Sequence, residues 1–439
     1  MKTKVFYMVM ALAMALSLVA VALPAEPAGA NGPETLWVGE CGGEPDYDYI
    51  QDAIDNADPG DTIMVCPGEY DEQLKINKQL TILSTNGAEE TLIDGDGVNG
   101  LIWDKPGGET VYPTVWIDAA GVVFGDEGQG FTVFGGWSFD PAPWDMFPAL
   151  LNLASGCTIE GNKFVESDIG VMSYYPHGPS NNQIAGNEFY ENGVGVFLTE
   201  NAGDNISGNF FAANWVAIML GGEWMVHDFD AIKLEGEGMV HDIHVVGNEL
   251  VENAEGILLV GAHGNTISGN DIWDTHHLFI AGETADGGLW LKVGPDGEPG
   301  GAAIELVRSD DNTIEGNTID WDYIGLKMVC SAVWGIRLSG SCHNDILGNE
   351  IYACCEDGIR LDGGYDDMYL GWIGPSNDNL VQGNEVEDCY RGIALEGDVN
   401  DNRVLSNEVY EGGAGIFIGP WEPFLCGNER PQRRGQHRL

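Results

Sequence analysis

A short string, N-x-I-x-G-N-x-(I/F), recurs along this chain and limits the possible folds more than any other feature. Its glycine falls at positions 161, 186, 208, 247, 269, 316, 348 and 383, and Ser406 takes the same place once. Successive spacings are 25, 22, 39, 22, 47, 32, 35 and 23. The basic unit is therefore 22 residues, and the longer gaps are that unit plus an insertion. A fixed period of this length is the mark of a solenoid, in which each unit buries its apolar face only against its neighbours.

Within the unit the register is tight. Two residues before the glycine stand Ile159, Ile184, Ile206, Val245, Ile267, Ile314, Ile346, Val381 and Val404. Three residues after it stand Phe164, Phe189, Phe211, Leu250, Ile272, Ile319, Ile351, Val386 and Val409. A further small residue then opens an apolar-x-apolar step, as in Gly195-Val196-Phe197-Leu198, Gly256-Ile257-Leu258-Leu259 and Gly392-Ile393-Ala394-Leu395. Each unit thus has three apolar stations separated by Gly or Asn. Segments so short cannot pair within a unit, but they can pair with the same station one coil away, at about 4.8 Å. The prediction is an all-β solenoid of three parallel sheets around a filled core. Stacked helices would need apolar residues at helical spacing and would tolerate far fewer glycines.

Asn162, Asn187, Asn209, Asn248, Asn270, Asn317, Asn349, Asn384 and Asn407 form a row directly after the glycines. Buried amides need partners. An asparagine in a left-handed bend, bonded to the coils above and below, meets that need, so the row reads as structural. Asn182, Asn265, Asn312, Asn344, Asn379 and Asn402 form a second row.

These motifs resemble the pectin-lyase-like right-handed β-helix superfamily, and most of all its NosD-like and carbohydrate-binding or sugar-hydrolase branch. Ile50-Gln51-Asp52-Ala53-Ile54-Asp55-Asn56-Ala57-Asp58-Pro59-Gly60-Asp61-Thr62-Ile63 is similar to that family's amphipathic cap helix running into the first strand. Pro67-Gly68-Glu69-Tyr70 and Leu80-Thr81-Ile82 continue the likeness, which spans residues 35 to about 428. The resemblance implies a right-handed parallel β-helix with three strands per coil and an N-terminal cap helix. The expected organisation is a signal peptide at 1–30, the cap and first coil at 31–78, the β-helix with loop insertions at 79–428, and an atypical basic tail at 429–439. That tail reads as a truncated or frame-altered end, because a solenoid needs a polar cap. The fold implies little about function, since it hosts lyases, hydrolases, epimerases and proteins without catalysis.

Lys2 and Lys4, the apolar run Val5 to Leu23, and Ala28-Gly29-Ala30 have the form of an export signal cleaved after Ala30. The formal charge is −52. Without Lys2, Lys4 and Glu26, 16 basic residues face 69 acidic ones. Such a surface repels nucleic acid and anionic membrane, and it suits high salt or divalent cations. Calcium is the expected ion, since it prefers hard carboxylate oxygens. The chain has nine cysteines. In an exported protein some should pair. Cys41 and Cys66, flanking the cap, are one expected disulfide. Cys354 or Cys355 lies at the register of Cys389 one coil on, and a Cys355–Cys389 staple is the second, with copper binding by the cluster as the alternative.

By the resemblance, the Gly-Ile-x-Leu station is the sheet whose outer face carries the substrate groove in the lyases. Its outward residues read as Met172, Phe197, Met219, Leu258, Ile280, Lys327 or Arg337, Arg360, Ala394 and Phe417. So apolar a face must be covered or must bind something. Insertions at about 221–241, 282–308 and 363–375, placed directly after this station, supply a wall, with 137–148 as a further piece. Trp224, Trp290, Tyr365, Tyr369 and Trp372 in these loops suit sugar rings, or else pack the loops onto the sheet. Arg337 and Arg360 share an outward register in adjacent coils, with Asp362 beside them. As catalytic candidates they would bind a uronic-acid carboxylate and assist proton abstraction beside it. The same residues also read as ordinary ion pairs with Glu356 or Asp357. Asp366 and Asp367 are calcium candidates. His227-Asp228 and His241-Asp242 are an internal echo that could ligate a transition metal, each Asp orienting its His, or could tip a small hairpin. The ordered signatures of polygalacturonases and of the epimerase Asp-Pro-His motif are absent.

The leading expectation is a secreted or envelope β-helix that binds extracellular polysaccharide, with lyase-type cleavage as its candidate activity. The alternatives are a non-catalytic surface or adhesion protein and a NosD-like periplasmic factor for copper-enzyme maturation.

Overall fold

The computed structural model describes residues 32–95, 100–104, 110–136, 145–174, 180–221, 240–273, 279–283, 289–292, 301–320, 334–354, 356–366, 371–419 and 437–438. The expected export signal and most of the atypical basic tail lie outside them. Three stations per unit become three long sheets, each of 13 strands. Sheet A holds the strands before the Gly-Asn bend, from Thr35–Val38 to Arg403–Leu405. Sheet B holds those after it, from Gly68–Tyr70 to Glu408–Tyr410, with the pair 437–438 added antiparallel. Sheet C holds the small-Ile-x-Leu strands, from Leu74–Ile76 to Ala414–Gly419.

Pairing between coils is parallel and in register. Ile159 stacks on Ile184, and the column continues through Ile206, Val245, Ile267, Ile314, Ile346, Val381 and Val404. In sheet B, Phe164, Phe189 and Phe211 stack with ring centroids 5.2 and 4.6 Å apart. Each such side chain, fully buried, contributes about 1.5–3 kcal/mol of transfer free energy. The small residue that opens each sheet C strand is required by this core. A Cβ on Gly358 would lie 2.3 Å from Val386 Cγ1.

The asparagine row is a continuous ladder. Asn248 Nδ2 donates to Ile206 O at 3.0 Å and to Asn270 Oδ1 at 2.9 Å, and its own Oδ1 accepts from Asn209 N and Nδ2. The left-handed residue is not the asparagine, as expected from sequence, but the residue before it. Gly161 to Gly383 have φ near +60°, and Ser406 takes +55°. The bend needs glycine to turn and asparagine to bond, which explains the dipeptide. The second row behaves likewise, with Asn312 bonded to Asn265 and Asn344.

At the N-terminal end, helix α1 (Ile50–Asn56) turns Ile50, Ala53 and Ile54 onto the first coil. Glu72 accepts from Ile50 N and Gln51 N at 2.9 and 3.0 Å, capping it from the loop that follows Gly68–Tyr70. Cys41 and Cys66 are disulfide-bonded as expected, with Cα atoms 5.4 Å apart. Among the described residues, no helix is long and apolar enough to cross a membrane.

Candidate functional site

The central strands of sheet C are buried on both faces. Its strands Val194–Thr199, Val216–Gly221, Glu255–Val260, Ala302–Val307 and Trp334–Ser339 have every residue buried. On the inner face lie Val196, Ile218, Ile257, Ile304, Ile336 and Ile359 of the main core. The outer face carries a second column, Leu151, Met172, Phe197, Met219, Leu258, Glu305, Arg337, Arg360, Ala394 and Phe417. This column corrects the sequence reading in one coil. Ile280 belongs to a local antiparallel hairpin, Phe279–Glu283 with Leu289–Lys292, and Glu305 takes its place. The insertion before residue 302 therefore enters ahead of the sheet C strand rather than after it, as does the one at 321–333 that holds Lys327.

The outer face divides in two. Toward the N-terminus it is a second hydrophobic cluster of Leu151, Ile169, Met172, Val194, Phe197, Val216, Met219 and Leu258, with Val111 and Met146 packed against it. Val111 and Met146 come from a small three-stranded sheet of Trp103–Asp104, Thr110–Val111 and Asp145–Met146. The apolar face expected from sequence is thus covered in part by the segment before the clear repeats.

Toward the C-terminus the same face becomes ionic. Arg337 donates from Nη1 to Glu305 Oε1 at 3.1 Å and from Nε to Asp362 Oδ2 at 3.0 Å. Arg360 donates to Asp362 at 2.7 Å and Asp357 at 3.2 Å, and pairs with Glu396 at 2.6 Å. Arg391 bonds Asp357 and Glu396. Trp334 lies under Arg337, with the guanidinium carbon 4.3 Å from its ring centroid. The sequence reading brought Arg337, Arg360 and Asp362 together correctly but placed them at the surface. Here all three are buried, and Arg360 does pair with Asp357.

Glu255 and Glu356 join the network, which gives six carboxyl groups against three guanidiniums. A buried charge without a partner is costly, and a group in that position neutralises instead. Burial first, then the neighbouring Glu305 carboxylate that it hydrogen-bonds, push the Glu255 carboxyl well above the usual range, against the pull of Arg337. Burial and then Asp357 push Glu356 up to about 7, against Arg360 and Arg391. Burial also works against the charge of Asp362, but Arg360 and Arg337 outweigh it and hold that carboxyl below its usual value. The patch therefore presents proton donors, carboxylates and cations within a few coils.

Glu255, Glu305, Arg391 and Glu396 were not singled out from sequence. A signal for Glu305 existed. Ala303-Ile304-Glu305-Leu306 ends six residues before Asn312, the same offset by which Leu259 precedes Asn265. Alanine at the small position hid it.

A family model described as a right-handed β-helix region matches residues 149–319 and 296–426. The chain belongs to the right-handed β-helix family. This β-helix is similar to the A-module of the mannuronan C-5 epimerase AlgE6 of Azotobacter vinelandii, with a TM-score of 0.56 and 14% identity, over 85% of this chain and 94% of that one. It is also similar to a PL6 alginate lyase in complex with a trisaccharide, with a TM-score of 0.51 and 14% identity, over 84% and 81% of the two chains. At such identity the likeness shows the fold. A search of curated protein sequences finds no match.

The remaining predicted site residues are dispersed or undescribed. Trp224, Tyr369, Asp367, Asp228 and His227 lie outside the described residues. Trp290 stands in the strand Leu289–Lys292, Tyr365 and Asp366 in Asp357–Asp366, and Trp372 in Gly371–Gly374, which pairs antiparallel with the end of Asp357–Asp366. His241 Nδ1 lies 2.8 Å from Asp242 Oδ2 at the surface. His241 bridges Ala202 and His263 in the neighbouring coils, so it belongs to the solenoid and not to a hairpin tip. Among the described residues, one carboxylate group, Glu69, Asp71 and Asp94, brings its oxygens within 4.8 Å of one another, and it is largely exposed on sheet B. The expected Cys355–Cys389 staple is not formed. Cys355 lies outside the described residues, and Cys389 is a free, buried thiol donating to Glu387 O at 3.5 Å.

Proposed function

We propose that this β-helix acts outside the cytoplasm on an acidic polysaccharide, processed at the ionic patch toward the C-terminal end of sheet C. The observation that carries the reading is Glu255 against Glu305 beside Arg337. Those three groups offer a proton donor, a proton acceptor and a cation on one face. Elimination or hydrolysis of a glycosidic bond needs a group to protonate the leaving oxygen and another to take up a proton. In this reading Glu255 and Glu356 serve as acids, Glu305 as base, and Arg337 and Arg360 neutralise a sugar carboxylate, with Asp362 orienting both guanidiniums. The similarity in fold to an alginate epimerase module and an alginate lyase supports the choice of substrate class, and the acidic surface supports calcium as the accompanying ion.

The pairing of each guanidinium with carboxylates of this same chain favours a second reading, a non-catalytic glycan-binding surface protein. One experiment separates them. The protein is incubated with polyuronate and neutral glycan panels, with calcium or with EDTA. Absorbance of unsaturated products and reducing ends are followed, and glycan affinity is measured in parallel. Products that disappear in Glu255→Gln support processing. Binding without products supports the second reading. Neither binding nor products, with stoichiometric copper uptake, overturns both in favour of a metal-maturation role.

A further inference from the structure

We infer that Cys354 and Cys389 are a redox pair that closes into an interior disulfide, joining the two coils whose strands carry Asp357 and Arg391. The argument begins with a third ladder, at the bend between sheets B and C. Asn192 N and Nδ2 donate to Asn214 Oδ1 at 3.1 and 3.0 Å, and Asn214 N and Nδ2 donate to Asn253 Oδ1 at 3.0 and 2.9 Å. Ser167 begins the row by donating from its N–H to Asn192. In every one of these coils the preceding residue has a left-handed backbone: Glu166, Glu191, Ala213 and Glu252, with φ from 47° to 56°.

Cys354 and Cys389 occupy the same step of the same bend. Ala353 and Asp388 precede them with φ of 59° and 53°. The strands just before are in register, Ile351 on Val386 and Tyr352 on Glu387. Ala353 N donates to Glu387 O at 2.9 Å, as Ala213 N does to Val251 O in the asparagine coils. Both side chains point into the main core, each 2% exposed. Their sulfurs sit under equivalent glycines, Cys354 Sγ 3.2 Å from a Cβ built on Gly335 and Cys389 Sγ 3.4 Å from one on Gly358. Residues stacked this way are about 4.8 Å apart along the solenoid, inside the Cα range that a disulfide spans.

A thiol is a weak donor and a weak acceptor. Where asparagines bond coil to coil, a covalent bond between these two sulfurs ties the same step of the bend. In the closing step one thiolate attacks a protein or small-molecule disulfide and releases one thiol. The second thiolate then attacks the mixed disulfide and releases the other. Two electrons pass to the oxidant, and the two protons end on the released thiols. Burial of both residues means that the bond forms while the coils are stacking. Cys354 precedes Asp357 by three residues and Cys389 precedes Arg391 by two. The bond thus clamps the origin of both strands that build the ionic patch.

The test uses the full chain refolded with oxidised glutathione until the Cys41–Cys66 bond is complete. Thiols are blocked in denaturant without reductant, and the chain is digested with cleavage at Arg360. The expected product is a linked peptide two hydrogens lighter than its parts, retained in Cys355→Ser and lost in Cys354→Ser. Cys389 found alkylated while Cys41–Cys66 is linked overturns the proposal. So does a link from Cys389 to Cys355 or to any cysteine other than Cys354.

Discussion

Arg391 grips Asp357 through two parallel bonds, Nε to Oδ1 at 2.5 Å and Nη2 to Oδ2 at 2.7 Å, across the boundary between two coils. Asp357 is wholly buried, and it also accepts from Arg360 on its own strand. Arg391 in turn reaches Glu396 and lies over the Phe417 ring. The residue therefore ties three consecutive coils. Taking a partner from a buried pair leaves the other charge uncompensated, which costs about 3–5 kcal/mol, whereas replacing both with apolar groups is often close to neutral. Arg391→Met should lower stability by that amount in urea unfolding. Arg391→Met combined with Asp357→Leu should recover a large part of it, and the interaction energy follows from the double-mutant cycle.

Acid should stabilise the patch, down to a limit. Glu356 rises from about 4.5 to about 7 on folding, and Glu255 moves in the same direction. Between the unfolded and folded values the native chain holds more protons than the unfolded one, so stability falls as pH rises through that window. For Glu356 alone the shift corresponds to roughly 3 kcal/mol between pH 4.5 and 7. Asp362 has the opposite sign. Its lowered value contributes stability that is present above the unfolded value and lost on stronger acidification. Unfolding free energy should therefore climb from pH 8 to about pH 5 and then drop. Glu356→Gln should flatten the upper limb. A wild-type profile flat from pH 5 to 8 would count against the protonated network.

What the sequence revealed and what it concealed have a common physical cause. The columns Ile159 to Val404 and Phe164 to Val409 were legible because each coil must present the same side chain to the same core. The Gly-Asn bend was legible because few other dipeptides can both turn and bond there. The outer face of sheet C has no such periodicity. Val194, Val216, Glu255, Ala302, Trp334, Asp357 and Arg391 share one register there, yet run from aliphatic side chains through carboxylates and an indole to a guanidinium. What decides each of them is a neighbour in an adjacent coil or a covering segment, and neither follows a repeat. Arg337 and Arg360 stood out only because cations are scarce. Asp362 and Asp357 were legible beside them in the chain, but their partners in other coils, Glu305 and Glu396, were hidden among 70 acidic residues.

The asparagine ladder makes a sharper prediction. Removing the Asn248 side chain takes an acceptor from Asn209 N and a donor from Ile206 O, both buried. Each orphaned group costs about 1–3 kcal/mol. Asn248→Ala should therefore lose about 3 kcal/mol or more. Asp204 breaks the second row, accepting from Asn182 N at 2.6 Å and from Asn201 Nδ2 at 2.7 Å. Burial pushes its carboxyl up against those bonds. Asn201 Oδ1 has no partner beside it, so a reoriented Asn201 could accept from a new amide. Asp204→Asn should raise stability at neutral pH by about 1 kcal/mol, in contrast to the loss at Asn248, both read by thermal and urea unfolding.

Sheet B sets carboxylates directly over one another. Glu350, Glu385 and Glu408 occupy three consecutive coils in one register, and Glu249 sits over Asp271 in the same row. Tyr352 and Tyr410 donate hydroxyl bonds to Glu350 and Glu408, which leaves Glu385 between two like charges with no such donor among the described residues. At about 5 Å in water each repulsion is on the order of 0.8 kcal/mol. Salt shrinks the screening length from about 10 Å at 0.1 M to about 3 Å at 1 M, so melting temperature should rise over that range. Glu385→Gln removes both repulsions at once. It should stabilise the chain by about 0.5–1 kcal/mol at low salt, reduce the response to added salt or calcium, and have no effect on the pH profile set by Glu356. A variant as salt-sensitive as the parent would place the response in some other part of the acidic surface.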